Sequence, residues 1–344
     1  MKTKFIYFFL ICFAFANAST LKQTKKTKDN TTGPIVVTVS IHLNKIYDIN
    51  SVNQTYLIDA YLVLSWHNPK SFSGQEYQIP EERIIYENEE FPKNIAVPSF
   101  EFINILGNRE IINRRLIINP NGQLTYNERF HGMFTTPMDF HKYPNDKQCF
   151  TLQLESFSLA KNDLLFVNPK LFPEKLDESY MEEWTILGTK DYVNDMAYNH
   201  LSIDAKKAEL FSRCNFEIYA QRKIGYYLWK VILPIGILIV ASWLVFWVKD
   251  FANQLSISFT LMLTMVTFNF YTSSLLPTLP YNTFIEMIII SGYISIFLTS
   301  IAIIFSYAYS KNEQTTTRIN SFFRLFFPSL YLLYILLCII IIFL

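Results

Sequence analysis

"SISFTLMLTMVTFNFYTSSLLP", residues 256–277, carries no charged side chain and is long enough to cross a bilayer, yet hydroxyl and amide side chains recur along it. A helix that spans a bilayer needs about 20 apolar residues, and polar groups in such a span normally have a task. On a helix, positions spaced four, three, four, three and four apart fall on one face. From Ser256 that stripe reads Ser256, Thr260, Leu263, Thr267, Phe270 and Ser274. Facing lipid, the stripe gains nothing; in a ring of helices it lines a water pathway. A packed bundle whose Ser and Thr bond backbone carbonyls has the same composition, so the pattern alone leaves both arrangements open.

Further apolar runs lie on either side. The candidate spans are 229–248, 252–275, 283–307 and 321–344, after a boundary near "RKIGYY" at 222–227. At the other end, "MKTKFIYFFLICFAFANA" joins Lys2 and Lys4 to a short apolar run and small residues at Ala16 and Ala18, the pattern of a signal peptide, 1–18. Its removal places residues 19–223 outside the cell or in the periplasm, and four crossings by 224–344 return the C-terminus to the same side. Charge agrees: Lys249, Lys311, Arg318 and Arg324 flank the inner links, and "PTLPYNT" on the outer side has no Lys or Arg.

The external part alternates with period two in "IVVTVSIHL" (35–43) and "QTYLIDAYLVLSW" (54–66). "RRLIINPNGQLTYNERF" (114–130) folds back about Asn121-Gly122, a strong hairpin signal. Strand-like runs at 148–155, 184–190 and 211–221 complete an antiparallel, immunoglobulin-like β-sandwich. Only Cys149 and Cys214 fall between leader and spans.

With 30 Lys and Arg against 29 Asp and Glu in 344 residues, the chain has no basic surplus for a nucleic-acid partner. It has no "GxSxG", no "GxxxxGK" and no His/Cys cluster at metal spacing, so no enzyme, cofactor or metal site is expected.

"YLWKVILPIGILIVASWLVFWV" (227–248) and "SFTLMLTMVTFNFYTSSLLPTLPY" (258–281), with "VPSFEFINILG", "NRRLIINPNG", "MDFHKYPNDKQCF" and "LQLESFS", resemble the pentameric ligand-gated ion channels, most closely an amine-gated bacterial member. The resemblance covers nearly the whole mature chain. It implies a homopentamer around a central pore, each chain giving a β-sandwich and a four-helix bundle, with membrane lipid, permeant ions and a small amine agonist as partners. The stripe from Ser256 to Ser274 would then line the pore, with Leu263 and Phe270 as constrictions. Two departures stand out: the cysteine positions flanking the "YPND" loop hold Thr136 and Phe150, and Asn253 stands where cation-selective relatives often carry Glu.

The resemblance also places an agonist box between neighbouring chains. Glu155, Phe157, Tyr198 and Phe211 would come from one chain, with His42, Tyr61, Glu101, Arg115 and Asn127 from its neighbour. The resemblance sets Cys149 six residues, about 20 Å, before Glu155 on its strand and Cys214 only three residues past Phe211, so it implies that the two are not bonded to one another. Ring faces attract a cation and a carboxylate pairs with it. His42 departs from the hydrocarbon ring expected there, and its protonated form would repel an ammonium. Gating would pass through the loop at 48–52, Pro144 and Asp146 of the "YPND" loop, and Arg222, all resting on the link that contains Pro277 and Pro280. The implied function is an agonist-gated, cation-conducting channel; a membrane-anchored sensor with a non-conducting pore is the alternative. A secondary transporter is disfavoured, because residues 251–285 hold no charge and no inverted repeat is visible.

Overall fold

Strands form where branched and aromatic residues alternate with polar ones, and the buried side chains of β1 (Ile35–Asn50) follow that alternation as Val37, Val39, Ile41 and Leu43. A computed structural model describes residues 33–67, 82–86, 97–156, 158–173, 183–198, 209–309 and 313–343. The expected leader and Phe157 lie outside these residues. The remaining strands are β2 (Thr55–His67), β3 (Arg83–Tyr86), β4 (Glu101–Phe102), β5 (Ile105–Ile118), β6 (Gln123–Thr135), β7 (Lys147–Glu155), β8 (Leu164–Pro173), β9 (Trp184–Tyr198) and β10 (Glu209–Arg222). They form two sheets, β3-β5-β6-β2-β1-β8 and β4-β7-β10-β9. Their inner faces enclose rings such as Phe130, Phe134, Phe150 and Phe216.

The β5–β6 hairpin turns where Asn121-Gly122 predicts, with Gly122 at φ +83°, which glycine adopts without strain. One pair departs from an all-antiparallel sandwich: β8 runs parallel to β1. Its sequence, with Asn168 at φ +48° followed by Pro169, interrupts the alternation that would have revealed it. Both Cys149 and Cys214 are free thiols. They face Tyr219 and Leu154 respectively across β7 and β10, five register steps apart.

Four helices long and apolar enough to cross a membrane follow: α1 (Gly225–Trp247), α2 (Phe251–Ser273), α3 (Phe284–Tyr309) and α4 (Glu313–Phe343). α1 contains a π-helical stretch, Leu228–Ile232, just before Pro234, whose missing N–H breaks the regular ladder. α2 starts on Asp250, whose carboxylate accepts the Asn253 N–H at 2.8 Å. Helix α4 begins eight residues before the expected 321, since its polar first turns continue beyond the apolar run and Asn320 accepts from Ser306 Oγ at 2.9 Å. The α2–α3 contact is close at Gly292, where a Cβ would stand 2.5 Å from Met265 Cε.

Candidate functional site

Residues directly opposite in a ladder share a sheet face, so register alone assembles the first group. Across the outer face of the six-stranded sheet one row reads Asn113, Arg129, Tyr61, His42, Phe172 on β5, β6, β2, β1 and β8. The His42 and Phe172 rings stack at 4.8 Å, and the Arg129 guanidinium lies 5.7 Å from the Tyr61 ring. The next row brings Arg115 beside Asn127 and Val63. From these rows His42, Tyr61, Val63, Asn113, Arg115 and Asn127 line a cavity of about 620 Å³, with Asn44, Arg114 and Glu128. Phe172, absent from the sequence reading, is therefore the ring against which His42 is set.

Arg129 is committed below the cavity. Its Nε and terminal nitrogen donate to the two Asp59 oxygens at 3.1 and 2.8 Å, and His131 Nε2 stands 3.2 Å from Oδ1. Burial works against the Asp59 charge, but the Arg129 hydrogen bonds and charge, with His131, outweigh it and hold the carboxyl below its ordinary range.

Glu101 does not join this group. It lies in the other sheet, directly opposite Glu155 on β7, which is itself opposite Arg213 on β10. The resemblance set Glu101 with the neighbour's residues, and a two-residue strand has no periodicity of its own to reveal the sheet it joins. The Glu155 and Arg213 side chains are 4% and 9% exposed, and Arg213 Nε donates to Glu155 Oε2 at 2.8 Å. Arg213 also donates to the Tyr198 hydroxyl, which in turn donates to Glu155 at 3.4 Å. Tyr198 and Phe211 meet edge to face at 5.6 Å. The Glu101 carboxyl is pushed up, first by burial and then by the Glu155 charge.

The five stripe residues of α2, and Ser274 at its C-cap, all stand exposed on the chain, with Leu263 at 68% and Phe270 at 74%, whereas Gln254, Ser258, Met265 and Thr272 on the opposite side are buried in the bundle. Hydroxyls of the stripe satisfy themselves within the helix: Thr260 donates to Ser256 O at 2.9 Å, Thr267 to Leu263 O at 3.2 Å, and Ser274 to Tyr271 O at 2.7 Å. Backbone bonding of the hydroxyls and exposure of the stripe on the single chain thus occur together.

Between sandwich and helices lies a buried ion pair. Arg222 Nε and its terminal nitrogen donate to Asp146 at 2.8 and 3.1 Å, and the same terminal nitrogen reaches Ser51 Oγ at 3.1 Å. Trp184, Tyr143 and Tyr227 surround the guanidinium with rings 4.2, 4.9 and 5.7 Å away. The Tyr143–Pro144 peptide is cis. The same loop meets the α2–α3 link: His141 stacks on Tyr281 at 3.8 Å, the Phe140 N–H donates to the Tyr281 hydroxyl at 3.1 Å, and the Phe284 and Ile285 N–H groups donate to His141 O and Tyr143 O. These bonds fall just past Pro277 and Pro280, which have no N–H to donate.

Residues 19–224 match the neurotransmitter-gated ion-channel ligand binding domain. A proton-gated ion channel of Gloeobacter violaceus is 24% identical over 87% of this chain and 81% of its own. A gamma-aminobutyric acid receptor subunit beta-4 of Gallus gallus is 23% identical over 77% of this chain and 53% of its own, and a beta-like subunit of Drosophila melanogaster 24% over 77% and 54%. The chain spans about half the length of these animal subunits. A matched ligand-binding sandwich that runs directly into four apolar helices makes the chain a member of the pentameric ligand-gated ion channels, the Cys-loop superfamily.

Proposed function

We propose that this chain forms a homopentamer in a cell membrane, with residues 19–223 as the ligand-binding domain and 224–344 as the pore domain, in which a small primary amine bound between neighbouring chains opens a cation-conducting pore. One chain offers Glu101, Glu155, Phe157, Tyr198 and Phe211; its neighbour offers the cavity of His42, Tyr61, Arg115 and Asn127. The observation that carries the channel reading is the outward face of α2, where Ser256, Thr260, Leu263, Thr267, Phe270 and Ser274 are all exposed in a helix whose other side packs into the bundle. Five such faces around an axis give a neutral, hydroxylated pore with apolar rings at Leu263 and Phe270, and an apolar ring of narrow bore stops ions by excluding water. Asp250 supports cation selectivity, since its carboxylate is fixed at the start of α2 by the Asn253 N–H.

Recording from purified protein in lipid bilayers across a panel of amines tests the reading, with reversal potentials for the charge selectivity. Leu263→Ser should raise agonist sensitivity or produce a leak, and Phe270→Ala should do so more weakly. Specific amine binding with no current in wild type or either variant would instead identify a membrane-anchored sensor.

A second agonist class has its own support. Arg114 and Arg115 both line the cavity, and a guanidinium pairs well with a carboxylate. A ligand with an ammonium at one end and a carboxylate at the other meets both chains, and the gamma-aminobutyric acid receptor subunits among the relatives are in keeping with this. Gamma-aminobutyric acid outperforming n-butylamine, with the advantage lost in Arg115→Gln, would favour the zwitterion.

A further inference from the structure

The row Glu101, Glu155, Arg213 crosses β4, β7 and β10 of one chain. Like charges directly opposite on a ladder are unfavourable, and opposite charges directly opposite are favourable. Glu155 therefore has one neighbour of each kind, and the hydrogen bonds show which it takes: Arg213 Nε at 2.8 Å, with the Tyr198 hydroxyl as a second donor. Among the described residues, no hydrogen bond or ion pair reaches the Glu101 carboxylate. Counting the row, two carboxylates face one guanidinium, and the surplus negative charge lies at Glu101, on a two-residue strand at the edge of its sheet.

We infer that Arg213 sets the charge specificity of the agonist site: it engages Glu155, so that Glu101 is the carboxylate left to pair with an agonist's ammonium, and the site is matched to a ligand with a single positive charge at this end. This rests on the amine reading above and assigns the pairing within it. Arg213 is a positioning residue, acting through Glu155. Burial and the Glu155 charge both raise the cost of an ionised Glu101, and an arriving ammonium removes that cost at the one place in the row where no protein cation does so. Replacing Arg213 by a neutral residue leaves two adjacent carboxylates, which favours a dication over a monocation.

The test compares n-butylamine with 1,4-diaminobutane on the full pentamer in lipid, reading currents and ligand-induced thermal shift. Glu101→Gln should raise the half-activating n-butylamine concentration about tenfold or more, the effect of losing one charge-assisted pair, and Glu101→Asp should restore much of the response. The paired change Glu155→Gln with Arg213→Gln, which removes the internal ion pair without leaving either partner unpaired, should cost several-fold less than Glu101→Gln. Arg213→Gln alone should shift the 1,4-diaminobutane to n-butylamine sensitivity ratio about tenfold toward the diamine. Should Arg213→Gln fail to assemble, the Glu101→Gln and double-variant comparison still decides the pairing. A Glu101→Gln loss no greater than that of the double variant, or an unchanged diamine ratio, overturns the inference while wild-type amine activation leaves the function standing. No amine response in wild type, by current or thermal shift, overturns both.

Discussion

Strand β10 carries two buried arginine–carboxylate pairs nine residues apart, and they are built differently. At its lower end Arg222 and Asp146 are 3% and 1% exposed, share two hydrogen bonds, and are enclosed by three rings, Ser51 and the Asp146 backbone. Burial opposes the Arg222 charge, but Asp146 outweighs it and raises the guanidinium above its ordinary range. At the upper end Arg213 and Glu155 share one hydrogen bond, lean on Tyr198 and stand beside a second carboxylate. The lower pair joins β1, β7, β10 and the first helix into one fixed piece. The upper pair is saturated on one side and open on the other, the arrangement a ligand site needs.

Removing one partner from each pair tests that contrast most strongly. Truncating one member of a buried pair leaves the other unpaired, which costs about 3–5 kcal/mol in well-enclosed cases. Asp146→Ala should reach that range, seen as a large fall in thermal stability of purified protein or as loss of assembled pentamer. Glu155→Ala should cost about 1–3 kcal/mol, because Arg213 keeps its hydrogen bond to the Tyr198 hydroxyl. Equal losses would mean that the upper pair is as structural as the lower one and that its openness is only apparent.

The two ends should also part company in acid. An ordinary glutamate titrates near pH 4.3, and Glu101 is raised above its usual range by burial and by Glu155, with Arg213 and the Tyr198 hydroxyl as the other titratable groups in its row. An amine needs the ionised form, so agonist sensitivity falls as pH falls through the raised value. For stability the sign is opposite, since protonating Glu101 removes an unfavourable charge from the fold. At the junction, Asp139 is lowered by the His141 backbone N–H and then by its ring. Its contribution is present above the unfolded aspartate value near 3.9 and is lost only as pH falls below that. Dose–response curves and unfolding temperatures from pH 7 to 4 should therefore show agonist sensitivity decline while the junction holds. Glu101→Gln should flatten the former.

Much of this architecture was legible in the sequence because it depends on local pattern. The absence of charge from 251 to 285 identifies α2 as a span and the period of the Ser256 stripe gives it one polar face, although the pattern left open what that face meets, and alternation plus Asn121-Gly122 identify the central hairpin. The site was legible only in part. Arg213 reads locally as one more polar residue on an alternating strand, and only the register that sets it against Glu155 shows it buried. Phe172 lies on a strand broken by Asn168 and Pro169, so its stack on His42 depends on a parallel pairing with no local signature. Tyr281 was missed for a related reason: two prolines drew attention to the link, and the side chain that accepts from the loop follows them.

That tyrosine offers the smallest test and the most direct probe of what links the two domains. Tyr281→Phe keeps the ring on His141 and removes only the hydroxyl that accepts the Phe140 N–H. Phe140 is fully buried, and an N–H left without its partner costs about 1 kcal/mol. The unfolding temperature should fall slightly, well short of the Asp146→Ala effect, while the fraction of channels opened at saturating agonist falls measurably, because the lost bond joins the "YPND" loop of the sandwich to the link leading from α2. His141→Ala removes the exposed ring and should change stability even less. If Tyr281→Phe lowers stability without affecting opening, the hydroxyl serves packing alone and coupling runs through Arg222. If it affects opening with stability nearly unchanged, the link carries the signal and the Arg222 pair serves as the fixed support against which the link moves.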